Sequence, residues 1–215
     1  MRNRGKNKRN TLKNIILEHI NNNLREYTLA LLIFIIGVIA GVIFINNATE
    51  QQISEITTYL NNFLGQLKTE YKIDRAVLLK NTLISNLGLT IFIWFVGSTV
   101  IGIPIVYIIT AYRGFCLSYT ISSAVLVLGI SKGIVFAISS VLLQNIIFIP
   151  CLIALAVSGT KMCKNILKDK RKQNIKIEIT RHTLFCIIIL LVLEISAFVE
   201  TYISTGLLQI CSKYI

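Results

Sequence analysis

The sequence has few charged residues and lacks the short motifs that mark common enzymes. Charged side chains make up 15% of the chain, whereas about 25% is usual for a soluble domain. It contains no H-E-x-x-H zinc motif, no phosphate-binding P-loop and no G-x-S-x-G nucleophile turn. These absences predict that the protein has no catalytic site, no metal site and no cofactor.

Cysteine and histidine offer little chemistry either. The five cysteines include no C-x-x-C pair, and most lie in or beside apolar runs, where cysteine behaves as a small hydrophobic residue. We therefore expect neither a disulfide framework nor a metal centre. The two histidines, His19 and His182, flank apolar runs and are expected at the surface.

What the chain does contain is long apolar runs, and hydrophobic residues account for 54% of it. A helix needs about 20 apolar residues to cross a bilayer, and in lipid every backbone polar group must be paired within the segment. The pattern predicts an all-α integral membrane protein with about five transmembrane helices. The predicted spans are residues 28–45, 87–110, 115–128, 134–158 and 183–199. Because the third run is short, residues 115–158 form either two full spans or a re-entrant hairpin.

The charges divide the chain into two sides. Residues 1–26 form a basic arm and residues 27–215 a single membrane domain, with an outer segment at 46–86 and a basic loop at 159–182. With Arg113 placed in an expected turn at residues 111–114, 16 of the 22 Lys and Arg residues lie on the side of the N-terminus. The positive-inside rule predicts a cytoplasmic N-terminus and an outer C-terminus. Such flanks explain the net charge of +12 better than nucleic-acid binding does.

The outer segment contains a predicted amphipathic helix. Thr49 and Gln52 fit a capping box, and an apolar stripe with helical spacing follows. A second helix is expected to begin near Asp74. The stripe either rests on lipid or on the protein's own helices, or it docks a partner protein. The candidate partner-binding residues are Ile56, Leu60, Phe63, Leu64 and Leu67.

Four polar residues within or beside the later apolar runs form a candidate intramembrane cluster, namely Gln144, Asn145, Glu194 and Glu200. Ionisable groups at membrane depth are expensive and often functional. We expect Glu194 to be protonated or hydrogen-bonded to Gln144 or Asn145. A structural clamp and a functional site are both open.

Small residues and a proline mark candidate packing and kink sites. Gly37 and Gly41 form a G-x-x-x-G pair, which favours close helix packing within the chain over dimerisation, although a homo-oligomer stays open. Pro104 is expected to kink the second span near Gly102.

Several stretches, taken in order, resemble the stage II sporulation protein M family of endospore-forming bacteria. They are residues 37–41, 45–47, 63–67, 96–104, 113–115, 143–150 and 198–203. The resemblance covers the chain from Tyr27 to the tail and implies a multi-pass protein of the mother-cell membrane at the septum. It further implies a scaffold that anchors two peptidoglycan-degrading proteins, stage II sporulation proteins D and P, during engulfment. The alternative is a small permease or channel subunit that uses the intramembrane polar residues.

Overall fold

The computed structural model describes residues 20–68, 74–99, 101–168 and 175–211, and the regular structure within them is entirely helical. The helices are α1 (Leu24–Asn46), α2 (Glu50–Lys68), α3 (Arg75–Gly97), α4 (Gly102–Leu128), α5 (Ile130–Ala137), α6 (Leu143–Lys168), α7 (Ile175–Phe198) and α8 (Thr205–Cys211). The π-helical segment π1 (Ile138–Leu142) joins α5 to α6, and π2 (Val199–Ser204) joins α7 to α8. Most of the predicted basic arm and residues 169–174 of the basic loop lie outside the described residues.

Within the described residues, five helical segments are long and apolar enough to cross a bilayer, which confirms the predicted fold class. Three are the single helices α1, α3 and α4, and two are the composite segments Ile130–Leu167 and Lys176–Cys211. Residues 115–158 therefore belong to two full-length helical segments and not to a re-entrant hairpin. The turn between these two segments is made by Gly129, whose φ of 79° favours glycine.

The boundary between the second and third spans was predicted wrongly. Helix α3 ends at Gly97 and α4 begins at Gly102, so the break between the two spans lies there, and α4 runs unbroken through residues 111–114. Pro104 lies in the first turn of α4 and kinks nothing, because the N–H groups of a first helical turn have no intrahelical acceptor to lose. Gly102 is needed at this break, since a Cβ there would lie 2.9 Å from the carbonyl carbon of Val96. Arg113 consequently lies inside a span, and 15 basic residues stay on the N-terminal side.

Three glycines allow α1 and α4 to approach closely. A Cβ on Gly37 would collide with the backbone of Ala111, and one on Gly114 with the carbonyl oxygen of Phe34. A Cβ on Gly41 would lie 2.6 Å from the Phe115 carbonyl oxygen. The hydrophobic effect does not drive helices together within lipid, because the lipid tails are themselves apolar. Close backbone packing is therefore a main source of stability for the helix bundle. The structure thus places the G-x-x-x-G pair at a contact within one chain.

Polar contacts tie the helices together at one end of the bundle, which we call the basic end. Trp94 Nε1 donates to Thr183 Oγ1 at 2.9 Å, and Lys164 Nζ donates to Glu26 Oε1 at 2.8 Å. Next to this end lies the apolar core, whose most deeply buried members include Ile93, Val106, Leu152, Leu155 and Leu193. The bundle is therefore closed by tight packing in this half.

At the opposite end, the α2 end, helix α2 lies against the bundle. The predicted capping box is confirmed: the Thr49 N–H donates to Gln52 Oε1 at 2.9 Å, and the Gln52 N–H donates to Thr49 Oγ1 at 3.4 Å. The helix expected near Asp74 is confirmed too, since Asp74 Oδ1 accepts from the backbone N–H groups of Ala76 and Val77 at the start of α3.

Candidate functional site: a polar cavity in the helix bundle

A cavity of about 400 Å³ lies between α1, α3, α4, α6 and α7. Its wall combines two charged residues with amides, hydroxyl groups and a few large apolar side chains. The polar lining residues are Asn81, Thr82, Ser85, Asn86, Arg113, Thr120, Gln144, Asn145, Ser196 and Glu200. Three members of the predicted intramembrane cluster are thus brought together here, and the fourth, Glu194, does not line the cavity.

Arg113 is the cation of this cavity. Its guanidinium carbon lies 5.1 Å from the centre of the Phe148 ring, a distance at which the ring face attracts a cation. Among the residues that the structure describes, the ion pairs are Lys164 with Glu26 and Arg181 with Glu178, so Arg113 pairs with no described carboxylate. Sequence reasoning missed this residue because it expected a turn at residues 111–114.

Glu200 is the carboxyl group of the cavity, and it lies on the π-helical segment π2. Its carboxyl group interacts with the Thr82 side chain on α3, which lines the same cavity. It also lines a neighbouring cavity of about 320 Å³ at the α2 end, together with Leu67, Ser204 and Leu208. π-helical segments are rare in proteins, and those that occur are often found at functional sites. Glu200 therefore stands between the polar cavity and the α2 end of the bundle.

The amides of the wall differ in what they leave free. Asn86 Nδ2 donates to the Leu193 carbonyl oxygen at 3.0 Å, and Asn145 Nδ2 donates to the Val141 carbonyl oxygen at 2.7 Å. Gln144 Oε1, in contrast, is buried and has no hydrogen-bond partner among the described residues. Burying an unpaired polar oxygen costs about 1–3 kcal/mol. Gln144 thus lines the cavity while its Oε1 is enclosed by protein and closed to a ligand in this structure.

The predicted hydrogen bond from Glu194 to Gln144 or Asn145 is not formed. Glu194 Oε2 is buried without a partner among the described residues, and the Asn145 amide is engaged within its own helix. The prediction was wrong because it took proximity from sequence runs, whereas α7 turns Glu194 away from the cavity that holds Gln144 and Asn145. The protonated alternative for Glu194 stays a prediction.

The predicted partner-binding stripe of α2 is partly buried in the chain itself. Leu60 and Leu64 are 8% and 5% exposed, in a cluster with Ala124, Phe136 and Leu208. Both side chains hold α2 against the bundle, and Leu60 also lines the groove described next. The other three candidates, Ile56, Phe63 and Leu67, are half-buried.

Beside this stripe, α2 leaves an apolar groove open. The groove has a volume of about 460 Å³ and lies between α2, α4 and α5. Ile56, Tyr59 and Phe63 line it from α2, and Tyr119 and Phe136 line it from α4 and α5. Tyr59 is 75% exposed. We call this feature the α2 groove.

His182 lies at the basic end and not at the surface as expected. It is 4% exposed, and its Nδ1 lies 2.8 Å from Ser158 Oγ. The sequence prediction failed because α7 begins at Ile175, so His182 falls two turns inside the helix. His19 lies outside the described residues. Within the described residues, no group of three or more His, Cys, Asp or Glu side chains is placed to hold a metal ion.

The fold and the cavity define a multi-pass α-helical membrane protein with a charged, polar chamber in one half of its bundle. The sequence model described as stage II sporulation protein M matches residues 30–205, so the chain belongs to that family. The match confirms the resemblance drawn from the sequence and includes the cavity, the α2 groove and both π-helical segments. No curated protein and no solved structure matches the chain.

Proposed function

We propose that this sporulation membrane protein is a scaffold that anchors and localises septal peptidoglycan-degrading proteins, stage II sporulation proteins D and P, during engulfment. It hydrolyses nothing itself. The observation that carries the proposal is the α2 groove, a largely apolar surface at the end of the bundle predicted to face the septal wall. Leu60 and Leu64 fix α2 to the bundle, while the exposed Tyr59 marks the open side of the groove.

The groove has the chemistry of a docking site. The few residues that dominate the binding energy of protein interfaces are enriched in tryptophan, tyrosine and arginine. An apolar groove beside a helix accepts an amphipathic segment of a partner. The half-buried Ile56 and Phe63 from the predicted stripe remain available as part of its wall.

The scaffold proposal is tested by the variant Tyr59→Ala. Truncating an anchor side chain costs about 2 kcal/mol or more at a binding hot spot, which is about a 30-fold loss of affinity. Fluorescent fusions of the two hydrolases should therefore lose their septal localisation while the variant accumulates normally in membranes. Thr58→Ala is the matched control, because Thr58 is exposed on α2 and does not line the groove.

The outcome that removes the proposal is septal localisation of both hydrolases in cells that lack this protein altogether. A Tyr59→Ala variant that keeps the hydrolases at the septum moves the contact surface away from the α2 groove. In that case the deletion experiment still tests whether the protein anchors the hydrolases.

A permease or channel subunit is the second candidate, and the polar cavity favours it. A route across the membrane would have to continue from the cavity to the basic end. Below the cavity, however, Val106 and Leu155 are fully buried in the apolar core, and Gly97 contacts Gly159. In a cysteine-free background, Leu155→Cys reacting with a water-soluble thiol reagent as fast as Gln144→Cys would favour the permease. Protection of Leu155→Cys favours the scaffold.

A further inference from the structure

The cavity holds a cation that the described protein residues leave without a counter-ion. Arg113 lies about 16 Å along α4 from Gly102, whereas the hydrocarbon core of a bilayer is about 30 Å thick. An arginine at such a depth is expensive, and it is normally paired or faces a water-filled cavity. Here its described partner is the face of the Phe148 ring, so its N–H groups are available to an anion.

Glu200 supplies the acidic group of the same wall. Its carboxyl group interacts with the Thr82 side chain, and two carboxyl oxygens have more lone pairs than one hydroxyl group uses. A ligand that brings an anionic group to Arg113 and a cationic hydrogen-bond donor to Glu200 would match both charged groups of the wall.

The hairpin of α3 and α4 gives the order of these groups across the membrane. Thr82, which interacts with Glu200, lies about 22 Å along α3 from Gly97. Arg113 lies about 16 Å from the same turn along α4. The anion site is therefore deeper in the bundle, and the carboxyl group lies about 6 Å nearer the α2 end.

The order of the two groups matches the headgroup of one lipid class, drawn inward from its leaflet. In an aminophospholipid of the leaflet on the α2 side, the acyl chains are deepest, the phosphate follows and the amine is outermost. The cavity is open at its side, since Asn81, Ser85 and Thr120 line it and are also exposed. Ile84, next to Ser85 on α3, is 57% exposed and supplies an apolar surface beside this opening.

We propose that the cavity binds a phosphoethanolamine group, with its phosphate on Arg113 and its ammonium on Glu200. Guanidinium groups match phosphate geometry through two parallel hydrogen bonds. The group is supplied by a phospholipid that enters sideways between α3 and α4 or by a soluble phosphoethanolamine ester. This binding is independent of the scaffold role.

The test uses the purified full chain in maltoside micelles and counts bound lipid by native mass spectrometry. Phosphatidylethanolamine and phosphatidylglycerol are titrated separately, because the second has the phosphate and lacks the amine. We expect one phosphatidylethanolamine per chain and a preference of about tenfold over phosphatidylglycerol, the worth of one hydrogen-bonded charge. Arg113→Gln should weaken binding of both lipids by about tenfold or more. Glu200→Gln should abolish the preference for phosphatidylethanolamine and leave the binding of phosphatidylglycerol unchanged.

Matched controls are available in the same chain. Glu194→Gln removes a carboxyl group on the same helical segment that does not line the cavity, and Arg25→Gln removes an exposed arginine. Both should leave lipid binding unchanged. If Arg113→Gln does not accumulate, Glu200→Gln and Thr82→Val still test the amine site.

A second titration with soluble phosphoethanolamine distinguishes the two sources. Displacement of the bound lipid by millimolar phosphoethanolamine supports the site with a soluble ester as a competent ligand. Binding of phosphatidylethanolamine that soluble phosphoethanolamine does not displace supports the site with lipid as its source. Equal binding of the two lipids that Glu200→Gln leaves unchanged, or binding of none of the three probes, overturns the proposal.

Discussion

The two halves of the bundle are built on opposite principles. The half at the basic end is closed by side chains that find partners, such as Ser158 with His182 and Trp94 with Thr183. The half at the α2 end contains the polar cavity and both π-helical segments. Most of the buried side-chain oxygens without a described hydrogen-bond partner are here or close by, namely those of Gln144, Glu194, Thr201 and Ser204.

The difference separates the part that holds the fold from the part that is free for a ligand or a partner. In a membrane, helices associate through close packing and interhelical hydrogen bonds, and the basic half supplies both. Burying unpaired polar groups costs free energy. We therefore infer that the half that contains them binds a ligand or a partner. The comparison thus predicts an intolerant half and a tolerant half.

The largest expected effect is on which half faces which compartment. We predict that the basic end is cytoplasmic and that the α2 end lies outside. In a cysteine-free background, Asn61→Cys on α2 should react with a membrane-impermeant thiol reagent on intact cells, and Lys161→Cys on α6 should not. Both positions are exposed in the structure.

Permeabilised cells are the control for this experiment, because Lys161→Cys must then react. Labelling of Lys161→Cys from outside would invert the orientation. It would also place the α2 groove in the cytoplasm, where a septal wall hydrolase cannot reach it.

The second prediction tests the intolerant half with two glycines of the same helix. A Cβ on Gly97 would lie 2.7 Å from the Gly159 Cα, whereas a Cβ on Gly88 would meet nothing within 4 Å. Overpacking costs about 1–3 kcal/mol, and more where backbone is met, so Gly97→Leu should lower the free energy of unfolding by about 3 kcal/mol. Gly88→Leu should change it by less than about 0.5 kcal/mol.

Thermal unfolding in detergent, followed by circular dichroism, measures this difference. Tryptophan fluorescence is less suitable, because Trp94 lies one turn from Gly97 and reports local changes. Equal melting temperatures for the two variants would show that the basic half repacks, and the proposed contrast between the halves would be lost.

The sequence predicted the number of spans well because a bilayer imposes one strong rule on length and polarity. The sequence-based prediction failed where one helix ends and the next begins inside a single apolar run. Residues 98–101 carry no charge and no proline, so hydropathy passes over the break, whereas Arg113 and Gly114 look like a turn and lie within a helix. Gly114 is there because α1 packs against its backbone, which is a contact that only the tertiary structure creates.

The same limit explains the mixed result for the site. Gln144, Asn145 and Glu200 were recognisable from sequence as polar groups among apolar ones. Arg113 was not recognisable, because the turn wrongly predicted at residues 111–114 placed its charge in a loop. Glu194 and Glu200 look equivalent in the sequence, but π2 adds a wider turn before α8 and only Glu200 faces the cavity. A π-helical segment has no sequence signature that would have revealed this.

The third prediction separates these two carboxyl groups. Glu200→Leu removes the polar interaction with Thr82 and should cost about 1 kcal/mol, since interhelical hydrogen bonds in membranes average about 0.6 kcal/mol and reach about 1.7 kcal/mol. Glu194→Leu removes a carboxyl group with an unpaired oxygen and should be neutral or slightly stabilising. Melting temperatures of the two variants measure the difference. A larger loss for Glu194→Leu would reveal a partner for Glu194 that the bundle acquires in the membrane.

The smallest expected effect concerns the ion pair of the basic end. Lys164 Nζ lies 2.8 Å from Glu26 Oε1, and their side chains are 38% and 19% exposed. Because water and salt reach such a pair, exposed ion pairs contribute about 0.2–1 kcal/mol. A double-mutant cycle of Lys164→Gln and Glu26→Gln should therefore give a coupling free energy of about 0.5 kcal/mol. That coupling should shrink as salt is raised, because exposed charges are screened.

The cycle asks whether charge or packing holds the basic half together. A coupling above about 2 kcal/mol that salt does not reduce would mean that the pair is desolvated in the membrane, and the stability of this half would then rest on electrostatics. A small, salt-sensitive coupling alongside a large Gly97→Leu effect would leave close packing as the interaction that closes the basic half.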